Sequence, residues 1–221
     1  MPRPESVFTD ALFFINAFLS LLPAVFIVIK KKYSKEPLAL LMILCLLNFL
    51  ENAVLLVIPQ SPPSNQHTIR NIFSLAELML IVQIFSSALS TRHKELLTFF
   101  SITFLAVILT LYFSMGAGEK RTGIEITIEV IIIVIAGFIS FNLVEKDDVM
   151  IFIYPLLWIA IGTLFYFFIA LLVTIIPAGG EAEKDRIILL HIASLVRYAF
   201  YALAVLYHKD NDGTGDDLFI R

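Results

Sequence analysis

The sequence predicts an all-α integral membrane protein, a bundle of seven transmembrane helices. Three observations predict it. Of 221 residues, 59% are hydrophobic and only 16% are charged, whereas an ordinary soluble domain is about 45–50% apolar and about 25% charged. Apolar runs of roughly 20 residues, the length a helix needs to cross a bilayer, recur along the whole chain. Clusters of proline, glycine and charge separate one run from the next. The mean hydropathy of +0.89 agrees. The same composition excludes a typical soluble enzyme, a disordered chain and a fibrous protein. A net charge of −3 without a long basic stripe excludes a nucleic-acid binder driven by phosphate contacts. The lone cysteine, Cys45, lies in an apolar run and has no intramolecular disulfide partner.

The spans fall at 8–29, 37–58, 71–91, 95–115, 124–144, 149–177 and 187–208. Span one is too long, and its flanks too poor in cleavage signals, for a removable signal peptide. Pro2 and Pro4 offer the N-terminus no helical start. Pro37 opens span two and Pro59 closes it, and the polar stretch from Gln60 to Gln66 reads as a loop. Gly116, Gly118 and Gly123 bracket the loop between spans four and five. Pro177 and Gly179-Gly180 end span six. Span six is longer than the rest, so it should tilt, kink near Pro155 or emerge above the membrane. Residues 1–209 therefore form a seven-transmembrane-helix domain, and residues 210–221 a short, flexible, acidic C-terminal tail. The tail has a calcium-loop flavour. Aligning Gly213 with the loop glycine, however, puts Phe219 where the bidentate Glu belongs, so a solvated tail is the better reading.

Orientation follows from Lys and Arg in the loops. Lys30, Lys31, Lys32, Lys35, Arg92, Lys94, Lys146 and Lys209 fall on one side; Arg3, Arg70, Lys120, Arg121, Lys184 and Arg186 fall on the other. The first set is larger and its lysine cluster directly follows span one. That places the N-terminus outside and the C-terminus in the cytoplasm.

A rise of about 1.5 Å per residue converts position to depth. Glu51 comes out about 10 Å below the outer surface, and Glu77 and Glu129 about 9 Å below it. His191 is shallower, Arg197 lies nearer the midplane, and Asn16 sits between them. The cytoplasmic half holds mainly Asn142, the Ser86-Ser87 pair and Trp158. Spacing assigns faces as well. Asn48, Glu51 and Asn52 share one side of span two; Asn71, Ser74 and Glu77 form a stripe on span three. Ser194, Arg197 and Tyr201 form another on span seven, with His191 and Tyr198 on its shoulder. A charge facing lipid costs about 2.5–3.5 kcal/mol or more, so these stripes should face the bundle interior.

The residues then suggest an outward-facing polar cavity with more carboxylates than cations. Glu51, Glu77 and Glu129 outnumber Arg197, and the surplus calls for protonation, a bound cation, a cationic ligand or water. The alternative is that Arg197 pairs with Glu51 or Glu77 simply to tie helices together. His191 alone is more often a hydrogen-bonded core histidine than a ligand.

Several chemistries are demoted. A retinal pigment needs a lysine in the last span for its Schiff base, and Arg197 stands there instead. A three-His zinc site is excluded, because His67, His93 and His208 lie in loops or at a border. No cofactor, metal or catalytic residue is assigned. Glu51 and Glu77 are the candidates should a carboxylate pair hydrolyse lipid, although no nucleophile motif accompanies them. Pro23 and Pro155 are the candidates for the broken helices of a transporter.

Three motifs carry a resemblance. Pro155-Leu-Leu-Trp158-Ile-Ala-Ile-Gly162-Thr-Leu-Phe-Tyr166, Asn71-Ile-Phe-Ser-Leu-Ala-Glu77 and the Arg197-Tyr-x-x-Tyr201 end of span seven resemble patterns in small, uncharacterised bacterial seven-helix membrane proteins. These look like the heptahelical input modules found on, or encoded beside, histidine kinases. The likeness covers most of the chain and brings no defined activity with it. It implies a sensing role whose signal passes to a separate protein, a histidine kinase or other signalling partner. An Asp-Arg-Tyr triplet after span three and an Asn-Pro-x-x-Tyr run in span seven are both absent, unlike in eukaryotic heptahelical receptors. The expected protein is thus a receptor-like or accessory module of the bacterial cytoplasmic membrane. It binds a small polar ligand, a cation or protons in its outer half. Glu51, Asn52, Glu77, Glu129, His191 and Arg197 would line the site; Trp158, Tyr166, Tyr198 and Tyr201 would shape its floor.

Overall fold

The computed structural model describes residues 4–34, 36–57, 63–87, 89, 91–114, 121–146, 155–175 and 181–207. Among them every long element is an α-helix and none is a strand. In chain order these are α1 (Pro4–Ser20), α2 (Leu22–Ile29), α3 (Glu36–Val57), α4 (Pro63–Ser86), α5 (Thr91–Ser114), α6 (Arg121–Lys146), α7 (Pro155–Ile175) and α8 (Glu181–Tyr207). The acidic tail expected at 210–221 lies outside the described residues. So do Arg3, Lys35, Lys120, Lys209 and the breakers Pro59, Gly116, Gly118, Pro177, Gly179 and Gly180.

Prolines account for the departures from the predicted spans. Pro4 is the first residue of α1 rather than an obstacle to it. Proline suits the first turn, where a backbone N–H has no intrahelical partner in any case. Pro63 opens α4 in the same way, so the polar residues from Ser64 to Gln66 are helical and not part of a loop. Apolar periodicity does not register a hydrophilic first turn. Pro155 is likewise the first residue of α7, which has 21 residues, and residues 149–154 and 176–177 of the predicted span lie outside the described residues. Pro23 does break its span: α1 ends at Ser20 and α2 restarts at Leu22. There the Leu21 N–H turns back to Phe18 O at 3.1 Å, and Pro23 has no N–H to continue the ladder.

Six stretches are long and apolar enough to cross a membrane: Ala11–Ile29, Pro37–Leu55, Ile69–Ser86, Gly123–Phe141, Pro155–Ile175 and Asp185–Tyr207. Their faces are sorted as lipid requires. Phe18, Leu50, Ile72, Val134, Phe141 and Phe168 point outward and are exposed. Asn16, Asn48, Asn71, Glu77, Thr163, Ser194 and Arg197 are buried inside. Water would favour the reverse distribution. A hydrocarbon solvent favours this one, because burial among helices spares each polar group the cost of facing acyl chains. The protein is a multi-pass helical membrane bundle.

The helices close into a ring. The broken helix α1–α2 packs on α3, α3 on α4, α4 on α6, α6 on α7, α7 on α8, and α8 returns to α1 and α2. The α5 helix stands outside, against α4 and the edge of α6. The α4 and α8 helices therefore occupy opposite walls, two helices apart by either path. The tightest seam lies between α7 and α8. A Cβ on Gly162 would fall 2.8 Å from Phe200 Cβ and 3.2 Å from the Arg197 carbonyl oxygen. Only a residue without a side chain permits that approach.

Gly162→Ala should therefore destabilise the bundle by about 1–3 kcal/mol, the overlap outweighing the better helix propensity of alanine. Thermal unfolding in detergent micelles reads this directly; a variant that melts at or above the wild-type temperature would show that the seam has slack.

Candidate functional site

Arg197 projects from the middle of α8 into the ring and is almost fully buried. Its Nη1 donates to Glu77 Oε1 on α4 at 2.5 Å, so one ion pair joins the two opposite walls. The sequence left two partners open for Arg197, and the structure pairs it with Glu77. The guanidinium carbon lies 3.8 Å from the Tyr166 ring centroid, 5.2 Å from that of Tyr198, 5.9 Å from that of Phe167 and 6.0 Å from that of Tyr201. Its Nη2 donates to the Tyr198 hydroxyl at 3.3 Å. The Tyr201 hydroxyl in turn shares a hydrogen bond of 2.8 Å with Thr163 on α7.

This cage follows from the α7–α8 seam. Gly162 brings α7 against the Arg197 backbone, and Tyr166, one turn further along α7, then lies flat beneath the guanidinium. A planar, weakly hydrated guanidinium stacks on rings as an ammonium does not. Each desolvated cation–π contact contributes up to about 2 kcal/mol. Those contacts and the Glu77 carboxylate offset the several kcal/mol lost when the ion leaves water. Arg197 Nε is buried without a hydrogen-bond partner.

The other predicted residues are distributed around this centre. Glu51, on α3, lies within electrostatic reach of Glu77, Arg70 and Arg197. Of the predicted charged groups, Arg197 is the one placed against the Tyr166 ring. Glu129 meets α7 rather than the cage: its Oε1 accepts from the Thr174 hydroxyl at 3.3 Å, and its Oε2 is buried without a partner. Asn52 turns back on its own helix, its Nδ2 donating to the Asn48 carbonyl at 2.8 Å.

His191 forms a separate contact at the α1–α8 boundary. Asn16 Nδ2 donates to His191 Nδ1 at 3.1 Å, which leaves the ring proton on Nε2, and Phe13 packs edge-on at 5.3 Å. It is the hydrogen-bonded core histidine that base expectation favoured. Trp158 stacks on Phe200 at 5.7 Å and on Tyr207 at 5.9 Å, two turns of α7 away from Tyr166. It meets α8 at Phe200, the residue before Tyr201, and reaches on to Tyr207.

Thr163, Phe167 and Thr174 also take part, and reasoning from the sequence did not select them. A hydroxyl within the apolar span of α7 was the available signal for Thr163 and Thr174; nothing distinguishes Phe167 from the many other phenylalanines. Asn48 and Asn71 were placed on inward stripes but not in the site. Both are 2% exposed. Neither amide atom of Asn71 has a hydrogen-bond partner, and Asn48 Nδ2 also lacks one.

In comparisons with known proteins, no family model, curated protein or solved structure matches this chain. Among the described residues no group of three or more His, Cys, Asp or Glu side chains is arranged to hold a metal ion.

The ion pair makes a thermodynamic prediction. Arg197→Met leaves Glu77 buried and unpaired, and Glu77→Gln does the same to Arg197, so each should cost about 3–5 kcal/mol. The double variant should recover a large part of that loss. Unfolding in detergent for all four proteins gives the coupling energy; losses that simply add would show that the two groups act independently.

Proposed function

We propose that the protein is a receptor-like or accessory membrane module. It binds a small polar ligand, a cation or protons within the outer half of the ring and passes a signal to a partner protein. Seven helices, α5 included, cross the bacterial cytoplasmic membrane with the N-terminus outside. The excess of Lys and Arg beside the ends of α2, α4 and α6 supports that orientation. The partner class, a histidine kinase or similar signalling protein, rests on the resemblance of the α4, α7 and α8 motifs.

One observation carries the binding reading. Polar atoms on five ring helices are buried without partners, among them Asn16 Oδ1, Asn48 Nδ2, both amide atoms of Asn71, Glu129 Oε2 and Arg197 Nε. Each such group costs about 1–3 kcal/mol. A ring selected only for strength would hold apolar side chains at these positions. Groups arranged to meet a polar guest carry that cost until the guest is bound.

The ion pair favours a second reading, in which the polar interior serves as a helix tie. It weighs against the hydrolase reading too, since Glu77 is committed to Arg197 and cannot work freely with Glu51 as an acid–base pair. The transporter reading loses Pro155 as a helix breaker and retains only Pro23.

Two measurements test the proposal. A panel of small polar solutes should contain members that raise the melting temperature of the purified protein by several degrees, an effect that Glu77→Gln abolishes. If no solute acts and the variant changes stability alone, the helix-tie reading takes over. For the orientation, a fluorescent protein fused after Arg221 should mature and emit while an alkaline phosphatase fused there stays inactive; the reverse result would invert the topology.

A further inference from the structure

The end of α2 differs from a plain helix terminus. Ile29 closes the last turn: Lys30 N–H donates to Phe26 O and Lys31 N–H donates to Val28 O, both at 3.0 Å. Lys31 then takes a φ of 54°, the one positive value at a non-glycine residue among those described. In this left-handed region a β-carbon crowds the following carbonyl oxygen, and glycine is the usual occupant just beyond a helix end. The charge of a lysine does suit the negative end of the helix dipole. Lys30, one residue nearer that end, already supplies such a charge, and at an exposed position the return is screened by salt. Backbone strain held at an exposed, charged residue points to a use for that side chain outside the chain itself.

The neighbouring side chains identify the use. Val28 and Ile29 are 55% and 69% exposed and carry the lipid-facing surface into the last turn of α2. Lys30 and Lys31 are exposed directly after them. Tyr33 is 53% exposed in the short turn Lys32–Ser34 that follows, whereas Lys32 is buried and belongs to the fold. Residues 28–33 thus pass from hydrocarbon-facing side chains through two ammonium groups to a phenol. Half a bilayer has the same order of layers: acyl chains first, then the headgroup level, where aromatic rings with a polar tip also settle. Adjacent ammonium groups attract the negative charge of a phosphodiester, and the apolar edge beside them meets the attached tails. A free phosphate would use the lysines alone.

We propose that Lys30 and Lys31, flanked by Val28, Ile29 and Tyr33, form a site for the headgroup phosphate of an anionic phospholipid at the outer surface of the bundle. The site is separate from the ring interior and does not depend on what the interior binds.

The test is thermal unfolding of the full chain in a neutral detergent with phosphatidylglycerol, phosphatidylcholine or inorganic phosphate added at equal concentration. Phosphatidylglycerol should raise the melting temperature by about 2–4 °C more than phosphatidylcholine does, and inorganic phosphate should not reproduce the difference. Lys31→Gly should act in opposite directions. With phosphatidylcholine it should melt about 2–4 °C above wild type, because glycine is unstrained at a positive φ. With phosphatidylglycerol it should lose most of the added stabilisation, and Lys30→Gln combined with Lys31→Gly should lose nearly all of it. Lys94→Gln, which removes an exposed lysine at the start of α5, should keep it. The inference is overturned if phosphatidylglycerol acts no better than phosphatidylcholine, or if inorganic phosphate acts as well. It is overturned equally if Lys94→Gln loses as much as Lys31→Gly, which would mean diffuse attraction to all the lysines. A Lys31→Gly protein that melts no higher in phosphatidylcholine would remove the strain on which the site stands.

Discussion

A guanidinium in a bundle solvated by lipid has to find its partners among the other helices. Arg197 finds a carboxylate on the opposite wall and a floor of aromatic rings. The rest of the arrangement depends on that reach. Neighbouring helices already hold each other through apolar contact. Between the opposite helices α8 and α4, the Arg197–Glu77 bond reaches across the interior. In a solvent that cannot hydrate either ion, breaking the pair leaves two uncompensated charges, so the bond resists exchange far more than a surface pair does.

The cage depends on a much smaller feature. Gly162 lets α7 approach the α8 backbone closely enough for Tyr166 to lie flat beneath the guanidinium, and Thr163 to meet the Tyr201 hydroxyl. With a bulkier residue the seam would widen, and a stacked contact at 3.8 Å would become a distant one. Packing between two apolar helices thus sets the electrostatics at the centre of the ring. The break at Pro23 acts in the same region of the fold, since α1 and α2 are the segment that closes the ring between α3 and α8.

The polar interior is unevenly satisfied. Around Arg197, Nη1 and Nη2 are matched by Glu77 and Tyr198 while Nε is not, and aromatic rings cover the group. Elsewhere on α3 and α4 the balance reverses: Asn48 Nδ2 and both amide atoms of Asn71 are buried without partners. Along α4 the matched Glu77 and the unmatched Asn71 are less than two turns apart.

The amino-acid sequence by itself determined the solvent, the helical class and the inward direction of the charged stripes. Those follow from composition and a 3.6-residue period, because no polar group can face hydrocarbon cheaply wherever it sits in the chain. It also left Glu51 and Glu77 as alternative partners should Arg197 tie helices together. Only the tertiary structure decided which one, since Glu51 and Glu77 were equivalent by depth and the choice rests on which helices stand opposite in the ring. Helix order around a ring depends on many weak contacts between apolar faces, and those faces look alike in sequence. For the same reason Phe167 could not be distinguished from its nineteen counterparts, His191 turned out to meet Asn16 on a neighbouring helix, and Trp158 stacked on Phe200 and Tyr207 of α8. Prolines at helix starts were misread because their effect depends on whether they fall in the first turn or the interior, a distinction of one turn that periodicity does not resolve.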